Sequence, residues 1–481
     1  MSTKKNSKKI KWCFLVALCP DVMESFAKLA EQILKEGDEC FLIVSNKIAE
    51  YSKLEYFPKN IKFFSAVDWC KENYQEKKEG PKGFSWKEVF PAFSRSKLYQ
   101  ENYQDWIRTV NQIYQFVDFV LQKEKPDIVL HEIPGGIFPK ITFLLCQKYN
   151  ITYLGLVNSR FPGRMDVRDL ECKSSISEEA FKKLNENNIS GEEKKFAKAF
   201  IENFVSHREL PTYMDYQMDQ IKGFFPKKYF KEQLTMAKHW FRYLLKRNDF
   251  CYFDHESERR FKYWFRYPTK ALRWRIKGLF SKKVFDPINE NDKFFLFPLH
   301  IQPEYSTSLF APYFNDQLNT ITNIAFSLPF PYKLYVKEHP LAFEGRSKEF
   351  YKEIKRIPNV VFVSPEEKIE PLIKKSEGVI TISSTVGLEA VLIGKLVYAF
   401  GDECFYYHPL CRRVNSFEEL KQKIEQDLKN KPVVSDSESV NIRFVISYFK
   451  STIPVNLFAA ASDNDSNNYK VIYEDIKKTF L

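Results

Sequence analysis

Apolar runs alternate with amphipathic stretches in the first third of the chain. Residues 10–18 form a continuous apolar run, typical of a strand buried on both faces of a parallel sheet. A helical pattern over 22–35 ends at Gly37, and 41–44 is the next apolar segment. The alternation returns as strand, helix and strand at 127–130, 138–149 and 152–157. The pattern predicts a parallel sheet joined by crossover helices.

A second and clearer region of alternation lies in the C-terminal half. It predicts a doubly wound α/β domain with strands at 294–299, 333–336, 360–363, 379–382 and 396–400. The predicted helices of this region include 317–326, 347–355 and 385–393. The fold class predicted is therefore α/β, with two Rossmann-like domains and a helical basic insert between them.

These patterns divide the 481 residues into four parts. We predict an N-terminal Rossmann-like domain at 1–167, a helical linking region at 168–290, a C-terminal Rossmann-like domain at 291–432 and a helical tail at 433–481. The hydrophobic content of 44% excludes a disordered chain.

Positive charge is concentrated in the linking region. Between 222 and 286 there are 18 Lys and Arg against 6 Asp and Glu, a surplus equal to the +12 net charge of the whole chain. The same stretch contains Trp240, Trp264 and Trp274. Such a composition is typical of a segment that binds an anionic membrane surface or single-stranded nucleic acid. It is equally typical of a solvated helix whose aromatic rings pack inward. No nucleic-acid motif is visible, so nucleic acid is not expected.

Cysteine usage and hydropathy indicate the compartment. The nine cysteines contain no C-x-x-C pair and lie mostly in apolar segments, which indicates reduced, buried thiols. No apolar run approaches the ~20 residues of a membrane-spanning helix. The Lys-rich start only faintly resembles a signal peptide, because Leu18 stands where a small residue is required. We expect a cytoplasmic protein, peripheral on the inner membrane face.

One motif with candidate chemistry is Lys337-Glu338-His339-Pro340, directly after the predicted strand 333–336. Its side chains should emerge at the carboxyl edge of the sheet, where open α/β folds bind ligands. Lys337 and His339 would offset the charge of a phosphate and make it a better leaving group. A histidine before proline is, taken alone, more often a turn residue.

The other motif is the turn from strand 379–382 into a helix, Ser383-Ser384-Thr385-Val386-Gly387-Leu388-Glu389-Ala390. Three hydroxyls and free N–H groups at a helix N-terminus form an anion site, and Gly387 would let a ligand approach the backbone. Glu389 lies one helical turn beyond Thr385, where its carboxylate would accept the hydroxyls of a ribose. A Ser-Ser-Thr run alone is most often a helix cap. Both motifs on one sheet edge predict nucleotide binding by Lys337, Ser383, Ser384, Thr385, Gly387 and Glu389.

Missing motifs argue against other classes. Cys19-Pro20-Asp21 follows the first strand where a G-x-G-x-x-G would stand, and no G-x-x-x-x-G-K-[ST] occurs, which disfavours NAD enzymes and P-loop ATPases. The D-x-D at 463–465 lies in a polar tail and is interpreted as a turn. Neither a metal ion nor a cofactor is therefore expected.

In combination these residues resemble the bacterial capsule and surface polysaccharide synthesis proteins, which include Kdo-transferase-like enzymes. The resemblance covers 293–412 and depends on four segments in order: Pro298-Leu299-His300-Ile301-Gln302-Pro303-Glu304, Leu334-Tyr335-Val336-Lys337-Glu338-His339-Pro340, Asn359-Val360-Val361 and Thr385-Val386-Gly387-Leu388-Glu389-Ala390. It implies a GT-B glycosyltransferase, with two Rossmann-like domains facing a cleft and the nucleotide on the C-terminal domain. Bacterial sialyltransferases of this architecture use similar elements for CMP, which favours a CMP-activated sugar acid such as Kdo over a UDP-linked donor. The implied acceptor is a surface polysaccharide or glycolipid.

Two residues are predicted to be catalytic, His339 at the donor phosphate and Glu132 as the base. Glu132 follows the strand 127–130 beside a glycine pair and would deprotonate the acceptor hydroxyl. A carboxylate that caps the following helix is the equally frequent alternative. Weaker candidates for donor or acceptor contact are Asp21, His131, Gln302 and Glu304, and Glu24 is a reserve base beside Asp21.

Two other functions stay open. A UDP-sugar epimerase would share the two-domain fold but needs acid and base residues around one bound sugar and no acceptor groove. A polysaccharide export or assembly protein would keep the fold as a binding platform without catalysis.

The basic segment 222–286 yields a first prediction. Each Lys or Arg that reaches an anionic surface contributes about 1 kcal/mol, so the chain should bind anionic but not neutral vesicles, and salt should weaken binding. Replacement of Arg273 and Arg275 by Glu should reduce the bound fraction in vesicle sedimentation. Equal binding to both vesicle types would contradict the prediction, and tight binding to single-stranded DNA would favour the nucleic-acid alternative.

Overall fold

The computed structural model describes residues 9–17, 22–89, 103–169, 175–207, 284–430, 437–456 and 467–481, except 48, 51–53, 303, 341 and 343–345, together with residues 234 and 241. The structural statements below concern this part of the chain. It forms two compact units. The N-terminal unit holds the described residues up to 169 and from Thr452 onward, and the C-terminal unit holds 175–207 and 284–451. Asp21 and the three tryptophans of the basic segment lie outside the described residues.

The N-terminal unit is built on a six-stranded sheet. Its strands are β1 (Lys11–Val16), β2 (Glu39–Val44), β3 (Lys62–Ser65), β4 (Ile128–His131), β5 (Thr152–Asn158) and β6 (Met165–Arg168). They lie in the order β3-β2-β1-β4-β5-β6, and each neighbouring pair is parallel except β5 with β6. Phe14 in β1 pairs with Leu42 on one side and Leu130 on the other. This is the doubly wound Rossmann order, which reverses between β1 and β4.

The first four helices of this unit that we label are α1 (Met23–Lys35), α2 (Ala66–Asn73), α3 (Tyr103–Glu124) and α4 (Ile137–Tyr149). In α1 the residues Met23, Phe26, Ala30 and Ile33 are buried at helical spacing. This face of α1 packs onto the sheet and forms a hydrophobic core with apolar residues of β1 and β4.

Two strands of this sheet were not predicted. The strand β6 has no continuous apolar run, because Asp166 and Arg168 lie buried in it as an ion pair. Arg168 Nε and Asp166 Oδ2 are 3.2 Å apart. The edge strand β3 has exposed residues at Lys62 and Phe63, so it has no continuous apolar run. Hydrophobic periodicity therefore identifies the central strands of the sheet but not its edges.

The C-terminal unit contains a second six-stranded sheet. Its strands are β7 (Phe294–Pro298), β8 (Lys333–Lys337), β9 (Val360–Val363), β10 (Gly378–Thr381), β11 (Val397–Ala399) and β12 (Cys411–Arg413). They lie in the order β12-β11-β10-β7-β8-β9 and are all parallel. The chain reverses its direction of winding between β7 and β10.

The helices of this unit are α5 (Ser175–Lys183), α6 (Gly191–His207), α7 (Tyr305–Phe310), α8 (Gln317–Ser327), α9 (Lys348–Ile354), α10 (Ile369–Lys375), α11 (Thr385–Leu392), α12 (Phe417–Asn430) and α13 (Ser437–Ser451). The helices α5 and α6, from the predicted linking region, pack against α13 in this unit. The Arg443 guanidinium of α13 lies 4.1 Å from the Phe181 ring centre, and Phe449 meets Phe196 and Phe200 edge to face at 5.0 Å.

The last helix, α14 (Asn467–Phe480), belongs to the N-terminal unit. It buries Tyr469, Ile472, Tyr473 and Ile476 against α1. The prediction groups 433–481 as one tail, whereas the structure assigns α13 and α14 to different units. Each of these helices covers an apolar surface that its own unit would otherwise expose to water.

Asp38 connects α14 to the first sheet. Its carboxylate accepts hydrogen bonds from Ile10 N–H (3.2 Å), Trp12 Nε1 (3.2 Å) and Tyr473 Oη (2.9 Å), and Lys477 Nζ lies 3.3 Å away. Burial disfavours the charged carboxylate, but these hydrogen bonds outweigh burial and hold the pKa of Asp38 below its ordinary value.

The predicted α/β class is confirmed, with two Rossmann-like sheets as a GT-B-like fold requires. The structure places the predicted central strands within one to two residues of the expected bounds. Among the described residues, no helix is both long and apolar enough to cross a membrane.

The Asp38 contacts predict that Asp38→Asn destabilises the N-terminal unit. One amide oxygen replaces two carboxylate oxygens and the negative charge is lost, so the free energy of unfolding at pH 7 should fall by about 2 kcal/mol. Urea unfolding followed by tryptophan fluorescence measures the loss. The control Glu474→Gln alters an exposed residue of α14, 3.8 Å from Lys470, and should change stability by less than about 0.5 kcal/mol. Equal effects of the two variants would contradict the role of Asp38.

Candidate functional site

The candidate site lies at the carboxyl edge of the second sheet, where β7, β8 and β10 end. Because all strands are parallel, the loops that begin at Leu299, Glu338 and Ile382 leave the sheet on the same side. The direction of winding reverses between β7 and β10, and ligands of doubly wound folds bind at such a reversal. Both predicted motifs are therefore at one edge.

His300, in the loop after β7, contacts the Ser383 turn directly. Its Nε2 accepts a hydrogen bond from the Ser383 N–H at 3.0 Å, and the side chain is buried. A ring nitrogen that accepts a hydrogen bond carries no proton, so the neutral imidazole has its proton on Nδ1. Gln317 holds the backbone of His300, accepting its N–H at 2.7 Å and donating to its carbonyl at 3.0 Å. His300 was not among the predicted site residues, although it lies just after a predicted strand and within the first segment of the family resemblance.

The helix start after β10 differs from the expected open anion site. The N–H of Ser384 donates to Thr381 Oγ1 (2.9 Å), that of Val386 to Ser384 Oγ (3.2 Å) and that of Gly387 to the Ser384 carbonyl (3.0 Å). With Ser383 on His300, four N–H groups already have acceptors within the protein. The expectation of free N–H groups is therefore wrong for these four, because a buried helix start must satisfy its donors. The Ser383 hydroxyl is buried and has no hydrogen-bond partner among the described residues.

Gly387 serves packing, which corrects the prediction that it admits a ligand. A Cβ at Gly387 would lie 2.4 Å from Cζ of the buried Phe405 ring. The missing side chain makes room for this ring, so the backbone at this position faces an aromatic side chain.

Glu389 is buried on α11, four residues after Thr385, and the two therefore share a helix face as predicted. Its proposed contact with a ribose stays a prediction.

Lys337 and His339 leave β8 in different surroundings. The Lys337 ammonium is buried and donates to the carbonyls of Ser364 (3.3 Å) and Pro365 (3.2 Å) in the loop after β9. His339 is half-buried, and its N–H donates to the Glu338 carboxylate at 2.7 Å. Because β7 lies between β8 and β10, the exits that carry His339 and Ser383 are separated by two strand spacings, about 10 Å.

Gln302 and Glu304 take part in the local structure of the loop after β7. Gln302 Nε2 donates to the backbone carbonyl and, at 2.9 Å, to Oδ1 of Asn315. The Glu304 carboxylate accepts from the Ser306 hydroxyl at 2.8 Å, just before α7. Both residues hold the chain between β7 and α8 in place.

In the N-terminal unit, His131 lies in the core. Its Nδ1–H donates to the Leu15 carbonyl at 2.9 Å, and burial lowers its pKa to about 4, so the ring is neutral at pH 7. Glu132 is half-buried, and its carbonyl accepts from the Tyr153 hydroxyl at 3.2 Å. A Cβ at Gly155 would lie 3.2 Å from the same carbonyl, so β5 passes close to this backbone. Glu24 lies 3.9 Å from Lys28 on α1.

Comparison with known proteins confirms the resemblance over part of the chain. Residues 201–429 match the model of the capsule polysaccharide biosynthesis protein family, and this span includes β7 to β12. A curated relative, Protein FixF of Sinorhizobium fredii, is 30% identical over 147 residues, which are 29% of this chain and 34% of that protein. The chain thus spans about a third of the length of this relative.

Solved structures give distant likenesses. A UDP-GlcNAc 2-epimerase from Methanocaldococcus jannaschii is 14% identical, with 92% of this chain and 99% of that chain covered and a TM-score of 0.26. KpsC from Thermosulfurimonas dismutans, described as a beta Kdo 2,4 transferase, is also 14% identical, with coverage of 62% and 79% and a TM-score of 0.31.

The packing at Gly387 predicts that Gly387→Ala destabilises the C-terminal unit by about 1 to 3 kcal/mol, because the added methyl overlaps the Phe405 ring. The matched control is Gly191→Ala in α6, where a Cβ would meet nothing within 4 Å. Thermal unfolding measures both variants. Wild-type stability in Gly387→Ala would show that the Phe405 ring does not need this space.

Proposed function

We propose that the protein is a glycosyltransferase that moves a sugar from a nucleotide-sugar donor to a surface polysaccharide or glycolipid acceptor. This proposal is supported by the position of the candidate site within the span that matches a known family. The span that matches the capsule polysaccharide biosynthesis family contains the sheet whose exits carry His300, His339 and the Ser383 turn. Crevices at such an edge bind nucleotides in other doubly wound folds. The proposed reaction uses no metal ion.

In this proposal the C-terminal unit holds the nucleotide. The Ser383 hydroxyl, which has no partner among the described residues, donates to a phosphate oxygen, and Ser384 and Thr385 line the same turn. His339 approaches the phosphate from β8 and stabilises the negative charge that develops on the leaving nucleotide. Lys337 adds positive charge beneath the loop after β9 while it holds the carbonyls of Ser364 and Pro365.

Donor recognition and catalysis involve two carboxylates. Glu389 accepts the ribose hydroxyls from its place one turn into α11. The favoured donor is a CMP-activated sugar acid, on the strength of the His-Pro and Ser-Ser-Thr elements. Glu132, half-buried at the carboxyl end of β4, is the proposed base that takes the proton of the acceptor hydroxyl.

The reaction type is tested by incubation with CMP-Kdo, CMP-sialic acid and UDP-GlcNAc, each with and without a glycan acceptor. Release of nucleotide only when acceptor is present is expected for a transferase. Conversion of the sugar without release would identify an epimerase, and no turnover with any donor would favour a binding protein.

The proposed nucleotide contacts predict that Glu389→Gln and His339→Ala weaken CMP or UDP binding about tenfold, the loss expected when one hydrogen bond to a charged group disappears. The control Glu377→Gln changes an exposed carboxylate just before β10, at the opposite end of the strand from the Ser383 turn. Calorimetry at 25 °C measures the dissociation constants. Unchanged affinity in both site variants would remove these residues from the site.

A further inference from the structure

We propose that Arg346 is a positioning residue of the nucleotide site, which fixes the loop that carries His339 and the loop that carries His300. This inference depends on the proposed function, because it names a residue that shapes the same site. Arg346 precedes α9 and has no place in either sequence motif.

The guanidinium of Arg346 joins the exits of two neighbouring strands. Its Nε lies 3.1 Å from each carboxylate oxygen of Glu338, after β8, and its Nη2 donates to the His300 carbonyl at 2.6 Å, after β7. The side chains of Glu338 and Arg346 are 0% and 9% exposed. The pair is thus shielded from solvent, where charge-assisted hydrogen bonds are strong and geometrically demanding.

The Glu338 carboxylate is occupied entirely by structural donors. Besides Arg346 it accepts the His339 N–H at 2.7 Å and the Tyr351 hydroxyl at 3.1 Å. Burial and the charge of Glu338 raise the pKa of Tyr351, so this hydroxyl stays protonated and donates. Glu338 therefore supports the site and is not available as an acid or base.

The Glu338 carboxylate contacts both Arg346 and the backbone of His339. The His339 backbone is held by the same carboxylate that holds Arg346, so a movement of Arg346 moves the anchor of His339. On the other side, the His300 carbonyl that Arg346 contacts belongs to the residue whose ring accepts the Ser383 N–H. One side chain thus connects both proposed phosphate-binding elements.

Lysine cannot reproduce this geometry. The planar fork of arginine directs several N–H groups to two acceptors at once, whereas an ammonium group is a single point charge on a flexible stem. The guanidinium carbon also lies 4.8 Å from the Phe350 ring centre, which orients the plane of the fork. Arg346→Lys therefore keeps the charge but should lose the connection between the two loops.

The test is CMP and UDP binding by calorimetry to Arg346→Lys, at a temperature where thermal unfolding shows the variant to be folded. We expect the dissociation constant to rise about tenfold, within the range of coupling between residues of one hydrogen-bonded network. The matched control is Arg412→Lys, which alters another arginine–carboxylate pair of the same unit, 3.3 Å from Asp427. This control should bind nucleotide as the wild type does.

A double-mutant cycle distinguishes positioning from general loosening of the fold. If Arg346 acts through His339, then Arg346→Lys should have a clearly smaller effect on affinity in a His339→Ala background than in the wild type. Fully additive effects, or unchanged affinity in Arg346→Lys, would overturn the inference. If the wild type binds nucleotide and Arg346→Lys binds it with the same affinity, only this inference is refuted. If the wild type does not bind nucleotide, the proposed function is refuted as well.

A second variant covers the case in which Arg346→Lys does not fold. Joint replacement Glu338→Gln and Arg346→Gln leaves no buried charge unpaired, and it should fold with the same tenfold loss of affinity. Loss of folding in both variants would assign the pair a purely structural role and overturn the proposal.

Discussion

Parallel strands place their carboxyl ends at one edge of a sheet, and in the C-terminal unit a hydrogen bond between His300 and Ser383 joins two neighbouring strand exits at that edge. The Ser383 N–H donates to Nε2 of His300, a residue 83 positions earlier in the chain. The loops after β7 and β10 would otherwise diverge, because winding reverses between these strands. The tautomer of the His300 ring and the position of the Ser383 turn depend on this contact.

The site also shows how a helix start can be reorganised by burial. Residues around α11 satisfy most of the N–H groups that an exposed helix start would offer to a ligand. The Ser383 hydroxyl is buried beside this turn and has no hydrogen-bond partner among the described residues. The proposed nucleotide site would therefore depend on the placement of side chains, and on the contacts that hold them, more than on the helix dipole.

The two units are built from interrupted segments. After α13 the chain returns to the N-terminal unit, where Ile453 and Met165 exchange two backbone hydrogen bonds of 2.8 and 2.9 Å. The helix α14 then covers α1 and reaches Asp38 through Tyr473. Completion of the first unit therefore requires α14, which follows the C-terminal unit in the sequence.

The sequence alone determined the class of fold, the central strands of both sheets and the edge at which the two motifs lie. Continuous apolar runs and their helical alternation are local signals, and the direction of a parallel strand places the residues that follow it. Tertiary structure alone decided what each residue at that edge contacts. Gly387 faces Phe405, Lys337 turns to the loop after β9, and Arg346 reaches His300. These partners lie between 18 and 46 positions apart in the chain, and His300 and Ser383 lie 83 positions apart. No local pattern encodes a contact that only the packing of separate strands and loops creates.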